Sequence, residues 1–133
     1  PVVFTGAQLP ISAMRSDARE NLMTALEIAT AKSNGRPVVP EVCIFFNHML
    51  LRGNRSKKVQ SVHFDAYESE NYPALAEAGI IIDYNFAAIR PYEQIKKLKF
   101  FNKLDNNVII IKLFPGITAA VLIADLQKPR ING

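Results

Sequence analysis

Short apolar runs and one amphipathic segment alternate along the first fifty residues. Val2–Thr5 and Glu41–Asn47 are apolar runs, and each predicts a strand. Between them, Asp17 and Glu20 have the spacing of a capping box, so we expect the Asp17 side chain to cap the start of a helix. The inner face of that helix is predicted from the residues that recur at helical spacing: Ala18, Leu22, Ala25, Leu26 and Ala29.

The order strand, helix, strand predicts the fold class. It is typical of a parallel α/β unit, because parallel neighbours need a crossover connection. Ile80–Tyr84 and Val108–Phe114 predict further strands, and Thr118–Gln127 predicts a second helix. We therefore expect an α/β fold with a doubly wound, mostly parallel sheet. Residues 86–107 show neither helical nor strand periodicity, which indicates a connector between two domains.

Composition and charge narrow the function classes. The 133 residues carry a net charge of +4, and their basic residues gather in two clusters, Arg52–Lys58 and Lys96–Lys103. A nucleic-acid-binding face usually combines stronger positive charge with stacking aromatic residues, so we expect no nucleic-acid partner. Cys43 is the single cysteine and lies in an apolar run, which indicates a small core residue. No apolar run approaches the length of a membrane span, so we expect no membrane partner.

Metal and nucleotide sites have no support in the sequence. His48, His63 and Cys43 lack the spacing of metal ligands. The glycine-rich phosphate-binding motifs and the nucleophile elbow of the α/β hydrolases are absent as well. We therefore expect neither a metal nor a cofactor.

The stretch LLRGNRSKKV, residues 50–59, crowds four basic residues into a turn after an apolar run: Arg52, Arg55, Lys57 and Lys58. Composition alone favours a solvated hairpin, and a phosphate-binding patch is a second interpretation. A third is a lysine that has lost its proton, because repulsion between like charges and burial both favour the neutral amine. A neutral lysine can accept a proton from a hydroxyl nucleophile.

Four segments resemble the bacterial type I (cytoplasmic) L-asparaginases. They read VVFTGAQLPISAMRSDARENL (2–22), FFNHMLLRGNRSKKV (45–59), FDAYESENYPALAEAGI (64–80) and LFPGI (113–117), and they cover nearly the whole chain. The elements TGAQLPI, ENL and RGNRSKK are specific in this order and separation. One departure is Ala18, where the family usually has glycine.

The resemblance implies an amidohydrolase that converts L-asparagine to L-aspartate and ammonia without metal or cofactor. An N-terminal threonine would act as the nucleophile, supported by a triad of a second threonine, an aspartate and a lysine, and Lys58 occupies the position of that lysine. Gly6, Ala7 and Gln8 resemble the substrate-binding loop, in which the backbone carbonyl of Ala7 would receive the substrate amide. A carbonyl accepts from an NH2 group but not from a carboxylate. Lys57 occupies a position that is often a small hydroxyl residue, implicated in effector binding in some relatives.

The resemblance also implies how the chain is organised. Residues 1–85 would be the C-terminal part of the catalytic N-terminal domain, residues 86–107 the inter-domain linker, and residues 108–133 the start of the C-terminal domain. The nucleophile and an HGTDT motif would lie upstream of Pro1. We therefore expect an internal fragment that has no activity by itself.

The implied partners are L-asparagine and further copies of the same subunit, in a cytoplasmic homodimer or homotetramer. Two alternatives stay open. The first is an amidotransferase subunit with an asparaginase-like domain, which passes ammonia to a partner enzyme acting on charged tRNA. The second is a non-catalytic α/β module that binds phosphate or nucleic acid through Arg52–Lys58.

Overall fold

A five-stranded sheet and one helix frame the first part of the chain. The computed structural model describes residues 1–59, 63–94, 100–104, 108, 110–120 and 123. The chain divides into two units, Pro1–Gln94 and Ile95–Gly133. The elements of the first unit are β1 (Val2–Phe4), α1 (Ala18–Thr30), β2 (Lys32–Ser33), β3 (Arg36–Pro37), β4 (Val42–Phe46), β5 (Met49–Arg52), a 3-10 turn (Gly53–Arg55), β6 (Lys57–Lys58), β7 (Tyr67–Glu68), β8 (Ala76–Ala78) and β9 (Ile82–Tyr84).

The sheet is mixed, and its strands lie in the order β1-β4-β5-β8-β9. The strands β1, β4 and β9 and the helix α1 lie within segments predicted from the sequence, and the α/β fold is confirmed. Among the described strands of this sheet, however, only β1 and β4 are parallel. Asn47 and His48 have φ angles of 46° and 66°, the geometry of a two-residue hairpin turn, so β4 leads directly into its antiparallel neighbour β5.

The core lies between α1 and one face of the sheet. Side chains alternate along a strand, so Cys43 and Phe45 on β4 share this face with their cross-strand neighbour Leu50 on β5. All three are buried, and they belong to one apolar cluster with Ala25 and Ile28 of α1. The helix thereby covers the parallel pair and the hairpin that follows it.

The buried stripe of α1 differs from the predicted inner face. Ala25 is buried as expected, but the other buried positions are Asn21 and Ile28. Leu22 and Leu26 are half-exposed, which corrects their assignment to the inner face. The sequence identified the helix, but its buried face lies about one residue away from the predicted face. The polar side chain of Asn21 is therefore buried at the edge of the core, where it forms hydrogen bonds.

The second unit is described in part only. Three of its residues are helical and fall within the predicted helix Thr118–Gln127: Ala119, Ala120 and Ile123. The rest of that helix from residue 121 onward lies outside the described residues. Val108 and residues 110–114 have no strand assignment, so the described part of the predicted strand Val108–Phe114 is not a strand.

A buried ion pair ties residues 88–90 to the sheet. Arg52 donates to both carboxylate oxygens of Glu41, at 2.5 and 2.9 Å, and to the carbonyl of Ala88 at 3.0 Å. The backbone N–H of Arg90 donates to the same carboxylate at 2.7 Å, and the Arg52 guanidinium lies 4.1 Å from the ring centroid of Tyr72. Both charged side chains are less than a tenth exposed. Burial raises the pKa of Glu41, but the hydrogen bonds from Arg52 and Arg90 outweigh it, and the pKa lies below its ordinary value.

Residues 86–90 therefore pack with the first unit, which extends to Gln94. Ala88 is buried in the apolar cluster. The assignment of residues 1–85, 86–107 and 108–133 to a domain, a linker and a second domain stays a prediction.

Removal of Arg52 tests the importance of the buried pair. We expect Arg52→Ala to lower the free energy of unfolding by about 3–5 kcal/mol, because it leaves the Glu41 carboxylate buried without its partner. Arg55→Ala, at an exposed arginine of the same turn, is the matched control and should change stability by less than about 0.5 kcal/mol. Denaturant unfolding of the full-length protein measures both.

The same variants give a pH dependence of defined sign. The folded-state pKa of Glu41 is lowered, so the contribution of the pair is complete above the ordinary pKa of 4.5 and is lost as the pH falls through the folded-state value. The stabilities of the unchanged protein and Arg52→Ala should therefore converge in acid. Equal losses for Arg52→Ala and Arg55→Ala at pH 7 contradict this account.

Candidate active site

The loop that follows β1 is held by the start of α1. The carboxylate of Asp17 accepts the backbone N–H of Gln8, at 3.1 and 3.0 Å from its two oxygens, and the N–H of Leu9 at 3.1 Å. One helical turn further, the side-chain amide of Asn21 donates to the carbonyl of Gly6 at 2.9 Å and to Asp17 at 3.1 Å. We call Asp17 and Asn21 the loop clamp.

The clamp corrects the predicted role of Asp17. Its side chain makes no capping hydrogen bond to α1, so the predicted capping box of Asp17 and Glu20 is wrong. The hydroxyl of Ser16 accepts the N–H of Ala18 at 3.1 Å instead. The Asp17 carboxylate is directed to the preceding loop because two backbone N–H groups there need an acceptor.

The hydrogen bonds of Asp17 decide its charge. Burial raises the pKa of its carboxyl group, but the backbone N–H groups of Gln8 and Leu9 and the amide of Asn21 lower it by more. The net pKa lies below the ordinary value of 3.8. The loop is therefore anchored to an anion throughout the neutral range.

The three predicted substrate-loop residues differ in their exposure and in their hydrogen bonds. Gly6 and Ala7 are exposed, and Gln8 is half-buried. No described residue donates a hydrogen bond to the carbonyl of Ala7. The side-chain amide of Gln8 donates to the carbonyl of His63 at 2.5 Å, so in this structure it connects the loop to the chain between β6 and β7.

Lys58 lies on a separate two-stranded ribbon formed by β6 and β7. Lys58 is paired with Tyr67 and Lys57 with Glu68. Residues directly opposite each other share a face and neighbours alternate, so Lys58 and Tyr67 lie on one face and Lys57 lies on the other. Lys58 is exposed within the described chain.

Aromatic rings connect the Lys58 face of the ribbon to the loop after β1. The rings of Tyr67 and Phe46 pack with their centroids 5.3 Å apart. The Phe46 ring in turn lies 3.7 Å from the position that a Cβ atom would take at Gly6. Tyr67 therefore places the strand pair that carries Lys58 beside the loop, although the two are separated by about fifty residues in sequence.

The basic residues of the turn do not form the cluster of like charges that the sequence predicted. Arg52 belongs to the buried ion pair, and Lys57 forms ion pairs with Glu68 and Glu70. The hydrogen bond to Glu70 raises the pKa of Lys57. Two of the three cations beside Lys58 in the turn are therefore balanced by carboxylates, so the turn is not a group of unpaired like charges.

Other residues with reactive side chains are engaged elsewhere. His48 Nδ1 lies 3.3 Å from a carboxylate oxygen of Glu20. Cys43 is buried, and burial raises the pKa of its thiol to about 12, which suppresses the nucleophilic thiolate. In residues 1–59, 63–94 and the described parts of the second unit, no group of three His, Cys, Asp or Glu side chains is placed to hold a metal ion. The helices described there are also too short or too polar to cross a bilayer.

A model of the asparaginase N-terminal domain ("Asparaginase, N-terminal") matches residues 1–90. The chain belongs to the asparaginase family, as its motifs predicted. A 60 kDa lysophospholipase from Mus musculus is 42% identical over 129 residues, which are 97% of this chain and 22% of that protein. L-asparaginase 1 from Escherichia coli (strain K12) is 36% identical over 129 residues, which are 97% of this chain and 36% of that protein.

A solved structure shares the fold. The crystal structure of L-asparaginase I from Vibrio cholerae matches with a TM-score of 0.77 and 36% identity, over 97% of this chain and 37% of that one. The chain thus spans little more than a third of these two L-asparaginases, and about a fifth of the lysophospholipase.

Sequence reasoning missed the loop clamp and the part played by Tyr67. Asp17 and Asn21 are four residues apart, which places them on one face of a helix, and this spacing was the available signal. The capping-box pattern gave Asp17 a more familiar local interpretation. Tyr67 gave no signal, because its partners depend on strand pairing between distant segments.

Chemical labelling of Cys43 tests its burial. We expect no reaction with a thiol reagent at pH 8 in the folded full-length protein, because the thiol is enclosed and its pKa is raised. Reaction should become rapid in denaturant, and peptide mass spectrometry locates the labelled cysteine. Rapid labelling of Cys43 under native conditions contradicts the assignment of this residue to the core.

Proposed function

We propose that the chain is part of a cytoplasmic L-asparaginase that hydrolyses L-asparagine to L-aspartate and ammonia. The observation that carries this proposal is the family match over residues 1–90, which include both the loop after β1 and the ribbon with Lys58. The proximity of these two features through Phe46 and Tyr67 supports it. No metal or cofactor takes part in the proposed reaction.

The proposed reaction proceeds through an acyl-enzyme. A threonine outside the 133 residues attacks the side-chain carbonyl carbon of asparagine, the carbon–nitrogen bond breaks, and a β-aspartyl ester forms. The hydroxyl proton of the attacking threonine passes, by way of the triad's threonine or a water molecule, to Lys58, which delivers it to the departing ammonia. Water then hydrolyses the ester, which releases aspartate and regenerates the threonine.

The proposed substrate contacts come from the loop after β1. The carbonyl of Ala7 accepts a hydrogen bond from the substrate NH2 group, and Gly6 and Gln8 form the walls on either side. Two observations support this assignment: Ala7 is exposed, and no described residue donates to its carbonyl.

The exposure of Lys58 defines what the rest of the protein must supply. For Lys58 to act as a base, residues outside this chain or a second subunit must enclose it, and we propose a homodimer or homotetramer. Enclosure, rather than repulsion from neighbouring cations, is then what favours the uncharged amine.

Adjacent lysines provide a matched test in the full-length protein. We expect Lys58→Met to lower kcat for asparagine by about 10³-fold, because proton transfer by a positioned side chain contributes rate factors of this order. Lys57→Met removes the same charge from the opposite face of the ribbon and should retain most of the activity. Ammonia release measures both, and circular dichroism checks the fold. Near-normal activity of Lys58→Met contradicts the assigned role.

The same assay separates the alternatives. The 133 residues alone should release no ammonia, because the proposed nucleophile is not among them. Hydrolysis of lysophosphatidylcholine in place of asparagine favours a lysophospholipase, the activity for which the mouse relative is named. Ammonia release that requires an enzyme acting on charged tRNA favours an amidotransferase subunit. Steeply salt-dependent RNA binding without amide hydrolysis favours a binding module.

A further inference from the structure

The loop clamp determines the direction of the Ala7 carbonyl. The described peptide bonds are trans, so the carbonyl of Ala7 and the N–H of Gln8 belong to one rigid plane and point in opposite directions. The N–H of Gln8 is directed at the carboxylate of Asp17. The carbonyl of Ala7 must therefore point away from Asp17.

The peptide plane before Ala7 is held in the same way. The carbonyl of Gly6 accepts a hydrogen bond from Asn21, so the N–H of Ala7 points away from Asn21. Asn21 is only 3% exposed, and its amide also donates to Asp17. Two side chains one helical turn apart thus hold both peptide planes that flank Ala7, and the N–H of Leu9 gives Asp17 a further contact.

The charge of Asp17 also acts on the carbonyl itself. Hydrogen bonds in a chain polarise one another, so a peptide whose N–H donates to an anion has a more electron-rich carbonyl. Such a carbonyl accepts a hydrogen bond from an N–H donor more strongly, and it repels a nearby anion more strongly. The side-chain amide of asparagine offers N–H donors, whereas the side-chain carboxylate of aspartate offers only acceptors and a negative charge.

We propose that Asp17 is a positioning residue that, together with Asn21, presents the Ala7 carbonyl to the substrate and sets the discrimination between asparagine and aspartate. This inference rests on the proposed function. Asp17 touches neither the substrate nor the reacting atoms, and it acts through the backbone of Ala7 and Gln8.

Asp17→Asn in the full-length protein tests the inference. The substitution conserves size and removes the charge and one of the acceptor oxygens. We expect KM for asparagine to rise about tenfold, the equivalent of losing about one hydrogen bond. The inhibition constant Ki for aspartate should stay constant or fall. The ratio of Ki for aspartate to KM for asparagine should therefore fall about tenfold, while kcat changes less.

Two further variants make the test specific. Asp83→Asn removes an exposed carboxylate from β9 and should leave both constants and kcat unchanged. Asn21→Ala keeps the Asp17 carboxylate and its hydrogen bonds to the backbone of Gln8 and Leu9, and it removes the two hydrogen bonds that the Asn21 amide donates to Gly6 and to Asp17. It should shift the ratio in the same direction by a smaller factor. Thermal unfolding of each variant checks that it folds. If Asp17→Asn does not fold, the ratio measured for Asn21→Ala tests the inference.

Each outcome has one consequence. A lower ratio with a small change in kcat supports the positioning role. A loss of active protein or of kcat with an unchanged ratio assigns Asp17 and Asn21 to stability alone and overturns the inference, while the proposed function stands. If the unchanged protein does not hydrolyse asparagine, the proposed function fails first, and the discrimination assigned to Asp17 fails with it.

Discussion

The parallel pairing of β1 and β4 is the constraint on which the arrangement around the candidate site depends. Parallel neighbours need a crossover, and α1 supplies it, so the helix begins at the edge of the sheet where β1 ends. In open α/β sheets this is the edge where ligands bind. Because the first turn of α1 returns to this edge, Asp17 and Asn21 reach the loop after β1 and hold its backbone.

The charged pairs described above differ in burial, and burial decides the effect of each pair. The Glu41–Arg52 pair is buried, so the loss of one partner leaves a charge without compensation. Lys57 is exposed, and its pairs with Glu68 and Glu70 contribute little to stability, since water screens them. Asp17 is intermediate: its charge is distributed over donors of the loop and the helix, and its effect is on backbone geometry.

Relatives with different names share this segment of the chain. Nearly the same 129 residues align with a protein named as a lysophospholipase and with proteins named as L-asparaginases. The segment therefore supplies a scaffold that is shared by proteins with different names. In our proposal, the nucleophile and the enclosure of Lys58 come from residues outside the chain, and the selection of an amide comes from the carbonyl of Ala7.

The sequence by itself determined the strand–helix–strand order of β1, α1 and β4 and the family, and it singled out the candidate loop, because hydrophobic periodicity and short motifs are local properties of the chain. It did not reveal that β5 pairs back onto β4, that α1 is rotated toward Asn21, or that Asp17 binds the loop and does not cap its helix. Only the tertiary structure decided which partner each charge takes. Arg52 pairs with Glu41 and Lys57 with Glu70, residues brought together by strand pairing, and periodicity carries no information about such contacts between separate elements.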